Sequence, residues 1–530
     1  MKKRMINRHF MRLAALMSML LILLVAAQRV NGQSTPKTFD VMETSIDQIH
    51  AAYKSGQLTS TQLVKMYLSR IDAYDQKGPT INSIITINSK ALDEAAELDA
   101  EFKKSGFVGP LHGIPVLIKD QIDVKGMPTT LGSIMLKNYY PENDAFVVAK
   151  LKKAGAIILG KTTLGEFGGG DAYGSLFGAT HNPYALDRTS GGSSGGNGAA
   201  LSSNFATVAV GEEISSSIRR PSTWNSIVGM RPTVGMISRT GMYDGWPSIN
   251  GSLGPMARNV ADLAKLLDTM IGYDPDDPLT ATGYGKAPPT FTKFLDKGGL
   301  KGARIGILRE PFGTNSEPDS EDFKKVTAVF DKAVGELEAA GATVVDPIVI
   351  PDLKKLLATR VNGEDSDEDI KWYFRYPNAP FKSRADLLKS PDFAKLTHGA
   401  QQRLKDGPQQ DKWYKYLAAR QELTINIMKV MADNKLDAIV HKSVEHQPTL
   451  ISQGINPPYI SSKGAQTMAT FLVFVPVIAV PAGFTTDNLP VGITFMGRAY
   501  SDATMIKLAY AYEQATHHRK PPQTVPRLPH

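Results

Sequence analysis

The chain has 530 residues, of which 42% are hydrophobic and 21% charged, so it can bury a large core as globular proteins do. It contains no cysteine, which excludes disulfides, cysteine-ligated metal sites and a cysteine nucleophile. Its formal charge of +8 falls to +2 without residues 1–32, which hold six lysines and arginines and no acidic residue, so the basic charge gives no support for nucleic-acid binding.

Residues 1–32 predict a cleaved signal peptide and therefore a secreted or periplasmic protein. Five basic residues between Lys2 and Arg12 precede an apolar run from Leu13 to Ala27, and small residues favour cleavage after Gly32 or after Ala27. The run is shorter than the ~20 residues that span a bilayer, so we expect no stable membrane span once the segment is removed. An uncleaved membrane anchor is the alternative.

From residue 45 to residue 160, predicted helices alternate with predicted strands. In chain order they are a helix from Ser45 to Gly56, a helix that opens at Ser60, a strand over 81–87, a helix over 91–104, a strand over 116–118, a helix capped by Asn143 or Asp144 that ends at Lys153, and a strand over 156–160. A helix followed by a buried strand is typical of a sheet that is partly parallel.

The same alternation returns in the second half of the chain. It comprises a helix from Asn259 to Gly272, an exposed excursion over 274–289, a strand over 304–309, a helix over 321–340, strands over 343–345, 437–440, 477–480 and 491–496, and a closing helix over 502–516. These elements predict a single large α/β domain over residues 45–515, with a mixed β-sheet covered by helices on both faces.

Two regions depart from this pattern. Residues 361–420 are charged and aromatic, and they predict either a helical cap over a cavity or helices packed at its rim. Residues 516–530 end in a proline-rich stretch that predicts a C-terminal tail.

The stretch from Thr189 to Pro221 contains two serine-rich turns, centred on Ser193 and Ser217. Dense glycine and serine allow backbone to approach other backbone or a ligand closely. A flexible linker is disfavoured because the turns alternate with apolar runs such as 206–210. Residues 161–178 are also rich in glycine, and they predict either a cavity wall or a plain surface loop.

Lys119 ends the buried strand over 116–118, which is an unusual position for a lysine. Burying an ammonium group costs several kcal/mol unless it is paired or loses its proton. From this segment alone, an ion pair with Asp120 or Asp123 and a catalytic role are equally open.

A serine hydroxyl needs a base before it can act as a nucleophile. Residues 191–195 match the G-x-S-x-G pattern, but a serine hydrolase of that class would need His441 or His446, and neither has a supporting context. The favoured combination is Ser217 as nucleophile, Lys119 as a neutral buried base and Ser193 as the proton relay between them. No metal-ligand spacing or nucleotide motif occurs, so we expect no metal and no organic cofactor.

At these residues the chain resembles the amidase signature family of Ser-Ser-Lys hydrolases over about residues 45–515. The matching blocks, in order, are G-I-P-V-L-I-K-D at 113–120, N-P-Y followed by G-G-S-S-G-G within 182–196, S-I-R-R-P at 217–221 with G-x-x-P-T-x-G at 229–235, G-P-M-A-R-N-V-A-D at 254–262 and L-P-V-G-I-T-F-M-G-R at 489–498. Five blocks in the family order are far more specific than any one of them.

The resemblance implies hydrolysis of a carboxylic amide, a small-molecule amide as the binding partner and no cofactor, and it leaves a homodimer open. Ser217 would be the nucleophile, Lys119 the base, and Ser193 the bridging serine on a cis peptide. The oxyanion would be bound by backbone N–H groups, and a further backbone contact to the acyl site would come from Gly168. The N–H groups implied are those of Ile214, Ser215, Ser216 and Ser217.

The chain departs from the family segment G-T-D-x-G-G-S-I-R at residues 211–219. Ser215 and Ser216 replace two glycines, and Glu212 and Glu213 replace the Thr-Asp pair. These changes keep open a non-catalytic binding protein and a member that hydrolyses esters or carbamates, and a transamidation subunit is a further alternative. The substrate expectation is a bulky apolar or aryl amide, with fatty-acid amides, peptide C-terminal amides, anilides and carbamates all remaining open.

Overall fold

The computed structural model describes residues 39–361 and 366–528, together with Met11 and residues 17–19. The predicted signal peptide lies outside the described residues apart from those four positions, and both cleavage sites remain predictions. Across the described ranges, no helix combines the length and the apolar character that crossing a membrane requires.

Fifteen α-helices lie within residues 39–361 and 366–528. They are α1 Ile46–Lys54, α2 Ser60–Tyr74, α3 Ala91–Ser105, α4 Phe146–Lys153, α5 Gly195–Ser202, α6 Arg219–Trp224, α7 Val260–Met270, α8 Glu321–Ala339, α9 Leu353–Leu357, α10 Ser366–Tyr373, α11 Arg384–Lys389, α12 His398–Asp406, α13 Gln410–Asp433, α14 Ile451–Ile455 and α15 Asp502–Thr516. Short 3₁₀ helices connect several of them, including Glu166–Gly168 and Pro278–Thr282.

The strands of the same ranges form one large mixed sheet and two small hairpins. They are β1 Ile84–Ile87, β2 Pro115–Lys119, β3 Ile157–Thr162, β4 Tyr173–Gly174, β5 Gly178–Ala179, β6 His181–Asn182, β7 Ala185–Thr189, β8 Val208–Glu213, β9 Val228–Arg231, β10 Ser252–Ala257, β11 Arg304–Leu308, β12 Thr343–Ile348, β13 Ala438–Lys442, β14 Val477–Phe484 and β15 Pro490–Met496. The large sheet has the order β1-β3-β2-β8-β10-β9-β14-β15-β13-β11-β12. This arrangement confirms the predicted single α/β domain with a mixed sheet flanked by helices.

The pairing of β2 with its two neighbours positions the functional residues. β2 is parallel to β3 and to β8, with Ile118 opposite Val210. Because parallel strands end at the same edge of a sheet, residues after the ends of β2 and β8 meet there. The main hydrophobic core includes the side chains of these strands, which are fully buried.

The predicted helix starts agree with the structure where a side chain caps the helix. The Ser45 hydroxyl accepts the Gln48 N–H, and the Gln48 side chain accepts the Ser45 N–H, which is a complete capping box at the start of α1. The Asn259 side chain accepts the Asp262 N–H at the start of α7. In both cases the cap satisfies an N–H that the first helical turn leaves without a partner.

The predicted cap of the helix that ends at Lys153 is wrong. α4 begins after Ala145, with no side-chain cap from Asn143 or Asp144. The Asp144 carboxylate instead accepts the Lys125 N–H at 2.8 Å and pairs with Lys152 at 2.9 Å. These contacts hold the carboxylate away from the first turn of the helix.

Two segments expected to be peripheral are attached to the domain. Within the predicted excursion over 274–289, the buried Asp277 carboxylate accepts three hydrogen bonds from Arg239, one from its backbone N–H at 2.9 Å and two from its guanidinium at 2.8 and 2.9 Å. After α15, the predicted tail lies against the domain, where Arg70 donates to the Val525 carbonyl at 3.0 Å. Charged side chains thus anchor segments whose composition is that of loops.

Of the region over 361–420, the described residues 366–420 contain helices that share a small core with the rest of the domain. Side chains of α10 to α12 pack with Leu131, Phe167 and Tyr243 in one buried cluster. The Tyr373 hydroxyl donates to the Asp123 carboxylate at 2.8 Å, which ties α10 to the segment after β2. These helices therefore lie over the edge of the sheet at which β2 ends.

The C-terminal segment is also held by an ion pair between Glu43 and Arg519. Two hydrogen bonds, of 2.7 and 2.8 Å, join the guanidinium to the carboxylate. Burial raises the pKa of Glu43, but the charge and hydrogen bonds of Arg519 outweigh burial and hold that pKa at about 2.

Replacing Glu43 by Gln is expected to lower the free energy of unfolding at neutral pH by about 1.5 to 3 kcal/mol, as for hydrogen bonds to charged groups. Since the folded pKa of about 2 lies below the ordinary value of 4.5, the carboxylate stabilises the protein fully above pH 4.5 and progressively less as the pH falls to 2. Urea unfolding at several pH values measures this. Glu321→Gln, which alters the exposed pair with Lys324, is the control. A loss of stability in Glu43→Gln that does not become smaller at acidic pH would contradict the prediction.

Candidate active site

Lys119 lies at the end of β2 and is completely buried. Its Nζ is 2.6 Å from Ser193 Oγ, 2.8 Å from Glu212 Oε2 and 3.3 Å from the Glu212 carbonyl oxygen. Burial lowers the pKa of Lys119, while the Glu212 carboxylate raises it. Burial also raises the pKa of Glu212. A lysine in this environment is a candidate base.

The ion pair of Lys119 with Asp120 or Asp123, one of the two alternatives left open by the sequence, is not formed. Asp120 instead pairs with Lys161 at 3.0 Å. Asp123 accepts the hydroxyl of Tyr373, and burial raises its pKa to about 6. Of the two explanations that were open for Lys119, the structure excludes pairing with its neighbours in sequence and places a different carboxylate beside it.

Ser193 lies in the turn that leads into α5 and is completely buried. The Gly192–Ser193 peptide bond is cis, as the resemblance implied. Glycine is needed at position 192 because a Cβ atom there would overlap the Gly170 carbonyl oxygen. The Ser193 carbonyl accepts the Gly165 N–H at 3.0 Å, so this turn is held against the glycine-rich segment.

Ser217 lies in the second serine-rich turn, which contacts the first. The Ser194 N–H donates to the Ser217 carbonyl at 3.0 Å, which joins the two turns next to Lys119 and Ser193. Ser217 is half-buried and lines a cavity. The linker interpretation of residues 189–221 is wrong, because nearly all of these residues are buried.

The loop over 214–217 is closed by Glu213. This buried carboxylate accepts the N–H groups of Ile218 and Arg219 at 2.9 and 3.0 Å and pairs with the Arg219 Nε at 2.8 Å. A carboxylate at the end of β8 thereby fixes both ends of the four-residue loop. The loop lies along the cavity wall.

The four residues of that loop present unused hydrogen-bond donors. Within residues 39–361 and 366–528, no hydrogen-bond acceptor faces the backbone N–H groups of Ile214, Ser215, Ser216 and Ser217. None of these residues has a positive φ, so the backbone here does not require the family glycines. The serines at 215 and 216 therefore leave these N–H donors without partners within the described residues.

Gly168 also lines the cavity, and its backbone contact to an acyl group stays a prediction. Its φ of +75° lies in the left-handed region, and a Cβ atom would come within 2.9 Å of Asp244 Oδ2. Both observations require glycine at this position. The glycine-rich segment over 161–178 is thus a cavity wall rather than a plain surface loop.

The cavity has a volume of about 540 Å³, within the range of sites for small molecules. One wall comes from the glycine-rich segment and the loop over 214–217, and the opposite wall from the helices of residues 361–420. Its lining mixes aromatic side chains with charged ones. The main aromatic residues are Phe167, Tyr173, Tyr243, Tyr416 and Tyr459, and the charged residues include Asp171, Glu212, Arg220, Asp244, Arg360 and Arg403.

The two histidines considered for a Ser-His-Asp arrangement lie elsewhere. His441 is buried beside Phe312, and burial lowers its pKa to about 3. His446 binds the Asp322 carboxylate at 2.8 Å. Neither contacts Ser193, so the G-x-S-x-G match does not describe this site. Nor do three or more His, Asp or Glu side chains gather anywhere in the described ranges so as to hold a metal ion.

Sequence reasoning misses two charged contacts of the site. It identifies Glu212 only as a departure from the family pattern and does not predict its contact with Lys119. The buried pair of Asp171 with Arg220, at 3.1 Å, is not predicted either. For Glu212 the available signal was the unusual acidic pair at 212–213, one glycine after the apolar run over 206–210.

Comparisons with known proteins give matches that extend over most of this chain. The family model described as Amidase matches residues 62–506, which is most of the chain. A probable amidase of Arabidopsis thaliana is 32% identical over 523 residues, which cover 92% of this chain and 93% of that protein. A glutamyl-tRNA(Gln) amidotransferase subunit of Methanosarcina mazei is 34% identical over 493 residues, which cover 89% of this chain and 97% of that protein.

A solved structure shares both fold and sequence with this chain. The native peptide amidase from Stenotrophomonas maltophilia matches with a TM-score of 0.82 at 34% identity. The match covers 91% of this chain and 99% of that chain. The similarity therefore extends over the whole domain and is not confined to the serine-rich turns.

The hydrogen bonds of Glu213 to Ile218 and Arg219 predict that even a conservative substitution of Glu213 strongly lowers the stability of the fold. Glu213→Gln leaves the buried guanidinium of Arg219 without its counter-charge, so we expect a loss of about 3 to 5 kcal/mol in the free energy of unfolding. Glu317→Gln, which alters the pair of the exposed Glu317 carboxylate with Lys463, should change it far less. Urea denaturation of both variants measures the difference, and equal effects would show that Glu213 does not hold the loop.

Proposed function

The chain belongs to the amidase family and is an amide-hydrolysing enzyme, and we propose that it is an exported amidase that forms an acyl-enzyme on Ser217. The observation that carries the mechanism is the 2.6 Å contact of the buried Lys119 Nζ with Ser193 Oγ. Ser193 belongs to the turn whose next residue, Ser194, is bonded to Ser217. These two contacts support the proposed order of base, relay and nucleophile.

In the proposed first step, neutral Lys119 takes the proton of Ser193 Oγ while Ser193 takes the proton of Ser217 Oγ. The Ser217 Oγ attacks the amide carbonyl carbon, and its new C–O bond converts the carbonyl oxygen into an oxyanion. The free N–H groups of the 214–217 loop donate hydrogen bonds to that oxyanion. Each such donor contributes about 3 kcal/mol in comparable sites.

In the second step, the proton held by Lys119 passes through Ser193 to the nitrogen of the leaving amine. The C–N bond breaks, the carbonyl reforms, and the acyl group stays on Ser217. A water molecule then attacks the ester in the reverse order of proton transfers, which releases the acid and restores the serine.

The cavity supports a bulky amide as substrate. Its aromatic lining offers flat apolar surface for an acyl or aryl group, and its buried pair of Asp171 and Arg220 offers polar contacts. The similarity to a peptide amidase adds peptide-like amides to the candidates. Panels of anilides and peptide amides are the first substrates to compare.

A role in transamidation is the second candidate, because relatives named as glutamyl-tRNA(Gln) amidotransferase subunits reach 34% identity. The composition of residues 1–32 favours export instead, and the charge of +2 on the remaining chain offers little attraction for RNA. Amide hydrolysis by the isolated protein, without a partner protein, would separate the two functions.

Treatment with a fluorophosphonate tests the nucleophile. We expect one adduct, on Ser217, with no adduct in Ser217→Ala because the nucleophile is gone, and labelling slowed by about 10³-fold or more in Lys119→Ala because the serine is no longer activated. Labelling should accelerate with rising pH as Lys119 loses its proton. Intact mass and peptide mapping give the site and the rate.

The exposed Ser105→Ala is the matched control for that experiment and should label at the unaltered rate. No adduct at alkaline pH would favour the non-catalytic alternative. A labelling rate that is flat from about pH 6 to 9 would contradict Lys119 as the base.

Expression of the complete chain tests export. We expect the mature protein outside the cytoplasm, beginning at Gln33 or Gln28, as found by N-terminal sequencing. Recovery of an uncleaved chain from the membrane fraction would favour the anchor, and recovery of it from the cytoplasm would refute export.

A further inference from the structure

Glu212 occupies a position that no step of the mechanism uses, although its side chain contacts the base. We propose that Glu212 is a positioning residue that directs the lone pair of Lys119 at Ser193 and sets the pH at which Lys119 begins to act as a base. The inference rests on the proposed function, because it assigns Lys119 the role of base.

The hydrogen bonds around Lys119 account for the positioning. Three oxygens surround its Nζ: Ser193 Oγ at 2.6 Å, Glu212 Oε2 at 2.8 Å and the Glu212 carbonyl at 3.3 Å. An ammonium group donates to all three and cannot act as a base. A neutral amine has two N–H groups, and when Glu212 accepts both of them the lone pair faces the Ser193 hydroxyl. Glu212 thus supplies two of the three contacts that orient the amine.

The same residues are held together by Ser194. Its hydroxyl donates to the Glu212 carbonyl at 3.2 Å and lies 3.4 Å from the Glu212 N–H, for which it is the acceptor. Ser194 follows Ser193 directly, so the turn that carries the relay also fixes the backbone of Glu212. With Lys119 and Glu212 both buried, water does not compete for these bonds.

Among the carboxylates near Lys119, Glu212 makes the direct contact with its amine. The other carboxylates that face it are Asp244 and Glu213, of which Glu213 is already paired with Arg219. The charge of Arg231, on β9, lowers the pKa of Glu212. Glu212 is the carboxylate bonded directly to the lysine, and its Oε1 has no hydrogen-bond partner within residues 39–361 and 366–528.

The sign of the pH effect follows from this arrangement. A carboxylate beside Lys119 favours the ammonium form, whereas burial favours the neutral amine. Without the carboxylate, burial acts unopposed and Lys119 becomes neutral at a lower pH. Removing the charge of Glu212 therefore moves the onset of reactivity towards acid, whereas loss of a purely structural residue would lower reactivity at every pH.

The test measures the second-order rate at which a fluorophosphonate labels Ser217 in the mature protein, from about pH 5 to 10. In this reaction the Ser217 Oγ–P bond forms, the P–F bond breaks, and fluoride and the serine proton leave. Glu212→Gln keeps an acceptor for the lysine N–H but removes the charge. We expect its rising limb to lie about 1 to 3 pH units lower, with the plateau rate largely retained.

Glu212→Thr supplies a second variant, with the residue that the common family segment carries at this position. The threonine side chain is uncharged and too short to accept a hydrogen bond from Lys119. We therefore expect the same shift of the labelling profile to lower pH, together with a plateau rate at least about tenfold lower. Glu513→Gln is the matched control. Glu513 is buried, accepts the Val260 N–H at 2.8 Å and does not contact Lys119, so its replacement should leave the limb in place.

The inference is overturned if the rise of the labelling rate occurs at the same pH in folded Glu212→Gln as in the unaltered protein. It is also overturned if Glu513→Gln shifts that rise by the same amount. Failure of both Glu212 variants to fold also overturns it, since Glu212 would then support the fold and not the base. Ser217→Ala and Lys119→Ala keep the two proposals apart. If either variant still reacts normally with the fluorophosphonate, the proposed function itself is wrong. If neither variant is labelled but the pH dependence of labelling is unchanged in Glu212→Gln, only the role of Glu212 is refuted.

Discussion

Burial of the Lys119 amine is the constraint on which the site depends. An amine that water cannot reach must find its hydrogen bonds within the protein, and here they come from Ser193 and Glu212, 74 and 93 residues away in sequence. Both are brought to Lys119 because β8 pairs in parallel with β2 and because the turn before α5 lies at the same edge of the sheet. The parallel pairing of β2 with β8 therefore determines which side chains meet at Lys119.

A second constraint is the shape of the loop between β8 and α6. Glu213, at the end of β8, accepts the N–H groups of Ile218 and Arg219 at the start of α6 and so holds the two ends of the loop together. Within the described ranges, the N–H groups of the loop residues have no acceptors. Donors that are fixed before the reaction need no reorganisation when charge develops. The helices of residues 361–420 complete the cavity from the other side, and their own small core, joined to Asp123 through Tyr373, keeps them against the sheet edge.

Much of the fold was predictable because its signals are local. The period of apolar residues and the caps at Ser45 and Asn259 mark helices, and short apolar runs mark buried strands. The errors fall where a distant partner decides the outcome. Asp144 does not cap α4 because it binds Lys125 and Lys152, and the loop around Asp277 is anchored because Arg239 lies beside it. Such pairings depend on which elements become neighbours, which composition does not reveal.

The sequence by itself determined the family and the candidate residues of the site: a lysine ending an apolar strand and two serine-rich turns, whose spacing and order match that family. Only the tertiary structure decided that Glu212, and neither Asp120 nor Asp123, accompanies Lys119, and that serine at 215 and 216 leaves the loop donors free. The reason is physical. The partner of a buried charge is set by the strands that pack together, and the need for glycine is set by the φ angles of the folded loop.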